Sequence, residues 1–72
     1  LEKLSFIKDK WVWLGGYDSR HLPKGAGFKW DVDKKIWWTA NPTAAKKLAP
    51  YIVAEDQKIL ESQIEALREA YQ

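Results

Sequence analysis

The sequence predicts an α+β fold: a small three-stranded antiparallel sheet with a short inserted helix, followed by two C-terminal helices. Three observations point there. Aromatic and β-branched residues alternate in three short runs before residue 40, Asn41-Pro42 is a helix start, and Leu60, Ile64, Leu67 and Tyr71 are spaced 4, 3 and 4 apart, a single helical stripe.

Residues 5–14 (SFIKDKWVWL) make the first expected strand, with Trp11 and Trp13 on one face and Val12 and Leu14 on the other, so both faces are apolar. Gly15-Gly16 stops it. Tyr17, Asp18 and Ser19 read as a turn capping a short, poor helix through Arg20, His21, Leu22, Pro23 and Lys24, where proline is tolerable only near the first turn. Gly27 is placed for a left-handed cap. Phe28-Lys29-Trp30-Asp31 is the second strand, with Phe28 and Trp30 facing inward together. Residues 31–35 (DVDKK) supply turn chemistry, an aspartate bonding the amides ahead of it, and Ile36-Trp37-Trp38-Thr39 returns as the third strand. Alternation sets Trp37 opposite Ile36 and Trp38, and Trp37 is expected on the more polar, outward face.

Asn41 can accept from an orphan amide while Pro42 loses nothing at the first helical position, so a helix is expected from there to about Leu48 or Ala49. Pro50 interrupts. A longer helix follows over residues 55–72, and its stripe must lie against the sheet, a neighbouring domain or a second copy of itself. The expected organisation is a β-α-β-β-α module over residues 1–53, with an amphipathic helix over residues 54–72 packed on it or on a neighbour.

A chain of 72 residues is one small domain with a marginal core, and without cysteine it has neither disulfides nor thiolate ligands to staple it. No apolar run approaches the roughly 20 residues that span a bilayer, and residues 1–10 lack a signal peptide's pattern. The expected setting is therefore intracellular, cytoplasmic, nucleoid or nuclear. A start at Leu1 and helical character up to Gln72 suggest a piece of a larger protein. The net charge of +2 conceals an asymmetry: residues 1–50 carry ten Lys or Arg against five acids, and residues 51–72 carry two against five. The basic part is also the aromatic part, since all five tryptophans fall between Trp11 and Trp38. Indoles beyond what a small core can enclose, set among lysines, suit an anionic partner that bears rings.

The string Gly-Ala-Gly-Phe, Lys-Trp-Asp, a short turn and Lys-Ile-Trp-Trp-Thr over residues 25–39 resembles the small module of the HARP (HepA-related protein) type, found beside the motors of Swi/Snf-like annealing helicases and related bacterial and phage helicase-like proteins. The resemblance covers residues 11–48. It implies a DNA-binding accessory domain that prefers forked or branched DNA and serves an attached ATPase motor in DNA repair. By position it implicates Lys29, Trp30, Lys34, Lys35 and Trp37, and makes Phe28, Ile36 and Trp38 packing positions. Pro23 in the short helix and the acidic tail helix depart from the pattern.

Together these readings give a nucleic-acid-binding set of Lys10, Arg20, Lys24, Lys29, Trp30, Lys34, Lys35 and Trp37, with Lys46 and Lys47 as an extension. Cations would hold phosphates while an exposed indole stacks on an unpaired base at a junction of duplex and single strand. Each piece also has an ordinary explanation: indoles as core filler, lysines as solvated surface, His21 as a surface or cap residue, Asp31 and Asp33 as turn formers rather than Mg²⁺ ligands. No catalytic residue, metal, cofactor or small-molecule substrate is expected, and neither is a membrane partner. The competing reading is a protein-interaction adapter that uses the aromatic surface or the C-terminal stripe.

Overall fold

The computed structural model describes residues 2–71. Its strands are β1 (Lys3–Ile7), β2 (Lys10–Leu14), β3 (Lys29–Asp31) and β4 (Ile36–Thr39), and its α-helices are α1 (His21–Ala26), α2 (Pro42–Lys46) and α3 (Gln57–Ala70). The sheet is antiparallel throughout, in the order β1-β2-β4-β3. The α+β class stands, but the sheet has four strands where the sequence predicts three. The run expected as one strand is a hairpin that reverses at Lys8-Asp9, whose φ angles of +51° and +66° match a two-residue turn with both central residues left-handed. Neither residue is the glycine or asparagine that normally marks such a turn.

The second hairpin follows its local chemistry. Asp31 Oδ1 accepts from the backbone N–H groups of Asp33 and Lys34, both at 3.0 Å, and closes the four-residue loop between the partners Asp31 and Ile36. Pro23 suits α1 because it lies in the first turn, where an N–H would have no helical acceptor, and its ring is fully buried. Gly27 ends α1 in the left-handed region at φ +94°, and the next N–H, of Phe28, donates to Pro23 O. At α2 the Asn41 side chain accepts from Thr43 N at 2.9 Å, with Pro42 in the first position. That helix is shorter than expected. Residues 49–51 form a 3-10 turn, and Ile52 then bridges Leu4 in parallel on the outer edge of β1.

All three helices lie on one face. Leu4, Trp11 and Trp13 from the sheet form one buried cluster with Ala26 of α1, Ala44 and Ala45 of α2, Leu48, Ile52 and Leu60 of α3. Trp11 is fully buried and donates its Nε1–H to Gln63 Oε1 at 2.8 Å, which fixes α3 across the sheet. The helical stripe therefore has a client within the module: Leu60 is buried, and Ile64 packs against the core. Only its outer end is left over, Tyr71 being 87% exposed. Gln72, where the sequence reading ends the helix, lies outside the described residues. Among the described residues no helix is long and apolar enough to cross a membrane.

Candidate nucleic-acid interface

Strand register decides where each indole goes. On the helix-covered face one row crosses all four strands, Leu4–Trp13–Trp37–Trp30, because these residues are direct cross-strand partners. Exposure rises along it. Trp13 is buried, Trp37 is half-buried, and Trp30, on the edge strand, is 47% exposed with its ring centroid 5.2 Å from that of Trp37.

At this outer end the row opens into a groove of about 780 Å³. Trp30 and Trp37 line it from the second hairpin, Tyr17 and Arg20 from the segment that follows the glycine pair, and Lys35 from the hairpin loop. Tyr17 and Arg20 hold each other: the guanidinium lies 3.8 Å from the centre of the Tyr17 ring and donates to Tyr17 O at 3.0 Å. The Gly15 backbone closes the inner wall. A Cβ there would come within 2.5 Å of Trp13 Nε1 and 2.8 Å of Ser19 Oγ, so only glycine fits. Trp13 Nε1 is the one buried side-chain nitrogen or oxygen among the described residues with no hydrogen-bond partner. Among the described residues Arg20 and Lys35 are the charged ones lining the groove, which thus has an aromatic floor and a cationic rim without a carboxylate.

Two expectations reverse here. Trp37 belongs to the covered face, because its partner across β2 is the core residue Trp13, and Trp38 to the uncovered one. Trp30 shares the covered face as expected, but it sits on the edge strand where cover runs out, and its ring is exposed while Phe28 is buried.

The expected nucleic-acid-binding set is also divided. Arg20, Trp30, Lys35 and Trp37 meet at the groove. Lys29 is the cross-strand partner of Trp38, and its Nζ lies 5.7 Å from that ring, with Lys10 Nζ at 4.6 Å, so these two lysines belong to the opposite face. Lys24 on α1 and Lys34 in the hairpin loop are exposed and line neither place. Lys46 lies in a separate groove of about 650 Å³ between α2 and α3, whose rim mixes Lys46 and Arg68 with Glu61 and Glu65.

Sequence reasoning missed Tyr17, Gly15 and the role of Trp38. Tyr17 and Arg20 stand three residues apart at a helix entry, a spacing that brings side chains together, and this was the available signal. For Trp38 the signal was the two-residue period that aligns Lys29, Trp38 and Lys10, but it becomes readable only once the strand register is known. Among the described residues no group of three or more His, Cys, Asp or Glu is placed to hold a metal ion. Comparison of the chain with protein-family models, curated proteins and solved structures finds no match.

Proposed function

We propose that this chain is a non-catalytic DNA-binding accessory domain of a helicase- or translocase-like protein, which engages unpaired bases at a junction of single strand and duplex. The observation that carries this reading is Trp30: an indole 47% exposed, backed by Trp37, in a groove whose charges among the described residues are Arg20 and Lys35. A base can stack on such a ring whatever its identity, while the guanidinium and ammonium reach the flanking phosphates and release condensed counterions. Nothing in the groove forms a set of donors and acceptors matched to one base, so discrimination rests on strandedness rather than sequence. The likeness to HARP-type modules supplies DNA, the fork preference and the attached ATPase motor.

The test is a titration of intrinsic tryptophan fluorescence with single-stranded, duplex and forked DNA over a salt series. Quenching on the single-stranded and forked forms is expected, with affinity falling steeply as salt rises. Absence of both quenching and salt dependence would overturn the reading. The adapter alternative draws on what remains of the α3 stripe, the half-buried Leu67 and the exposed Tyr71. An adapter would lose its partner on Leu67→Ser, a change to which DNA binding is indifferent.

A further inference from the structure

The face of the sheet that carries no helix has an arrangement the groove does not use. One row crosses it, Ser5–Val12–Trp38–Lys29, in direct cross-strand register. Val12 is buried although it lies outside the core cluster, so its cover comes from sheet neighbours such as Trp38. Over Trp38 stand two ammonium groups from the strands on either side of β4, Lys10 Nζ at 4.6 Å and Lys29 Nζ at 5.7 Å from the ring. Two like charges over one indole repel each other, and neither makes an ion pair: the ion pair among the described residues is Arg68–Glu65, on α3.

Two acids at this face are held by hydrogen bonds. Asp31 Oδ1 accepts two amides of its own hairpin loop. Asp56 Oδ2, at the β1 border, accepts from Ser5 Oγ at 3.1 Å and Phe6 N at 2.9 Å. Hydrogen bonding leaves a carboxylate negative, so an anion is disfavoured at the β1 side and at the Asp31 end of β3 and favoured between them, over Trp38 and the two lysines. An aromatic ring between two unpaired cations is the chemistry that holds a nucleic-acid strand, with phosphates at the ammonium groups and a sugar or base over the ring.

We propose that the Lys10–Trp38–Lys29 face is a second DNA-binding site, so that the β3–β4 hairpin stands between the two strands of a fork, one in the groove at Trp30 and Trp37 and the other across Trp38. Trp37 and Trp38 are consecutive in sequence and point to opposite faces, which places the two sites back to back across one layer of backbone. At the hairpin tip Val32 is 73% exposed, an apolar group positioned to abut the last base pair, with Lys34 and Lys35 beside it and Asp31 turned back into its own loop. The two-strand arrangement rests on the groove reading for the strand opposite.

The test compares fluorescently labelled forked DNA with one of its arms as a free single strand, using the full chain and a salt series. For Lys10→Glu/Lys29→Glu, fork affinity is expected to fall at least tenfold with a salt slope shallower by about 1.5 to 2, whereas single-strand affinity stays within twofold. Trp30→Ala is expected to weaken both probes. Lys10→Gln/Lys29→Gln, which removes charge without reversing it, should repeat the pattern at smaller amplitude, and far-UV circular dichroism checks that each variant is folded. Equal losses on both probes, or an unchanged fork affinity while Trp30→Ala still weakens binding, overturn the second site and leave the groove standing. A wild-type chain that binds neither probe overturns both.

Discussion

The two faces of this sheet are made from the same hairpins, yet they solve different problems. The covered face buries Trp11 and Trp13 under three helices and gives its last ring, Trp30, to solvent only at the edge strand. The uncovered face has no helix to pack against, and its one indole covers Val12 on one side and has two lysine ammonium groups over it. Five tryptophans in 72 residues therefore do not form a single population. Trp11 and Trp13 hold the fold together, while Trp37 and Trp30 become progressively exposed as helix cover runs out and Trp38 lies on the face without helices.

The largest effect expected from breaking this division is on stability. Trp11→Ala removes a fully buried ring and leaves Gln63 without its donor, and should cost about 3 to 5 kcal/mol in urea denaturation, enough to unfold much of a domain this small. A loss below about 1 kcal/mol would mean the core is not centred on Trp11. Next comes Trp30→Ala, which should weaken single-stranded DNA binding by about 1 to 3 kcal/mol through lost stacking. Because its ring is half in water already, the melting temperature should move far less than in Trp11→Ala. Trp38→Ala uncovers Val12 but opens no enclosed cavity, and is expected to destabilise by about 1 kcal/mol; a cost as large as that of Trp11→Ala would erase the distinction between the faces. The smallest change is a gain. Lys8→Asn/Asp9→Gly replaces two left-handed residues with the pair that suits the turn, and should raise stability by up to about 1 kcal/mol without altering DNA affinity.

What was legible in the sequence is what local chemistry decides. Asp31 closing the second hairpin, Gly27 capping α1 and Asn41-Pro42 starting α2 each depend on residues within a few positions of one another. The first hairpin was hidden because Lys8-Asp9 has no turn signature and the flanking run is apolar on both faces, which also describes a single buried strand. The site was legible in composition but not in geometry. Alternation establishes that Trp37 and Trp38 oppose each other, but which of them lies under the helices is set by the pairing of Trp13 with Trp37, a contact 24 residues apart in the chain. The exposure of Trp30 depends likewise on β3 being the outermost strand, a property of sheet order rather than of the segment itself.

That outermost position has a consequence for how copies of the molecule tolerate one another. β3 is three residues long and pairs on one side only, so its other side offers backbone donors and acceptors to any extended chain, including another copy of itself. Lys29 and Asp31 put charges on this edge that pairing would have to desolvate, and at three residues the strand is a poor template. Lys29, one of the charges proposed to hold DNA, is thus also a charge on the open edge, and neutralising it to probe one role alters the other.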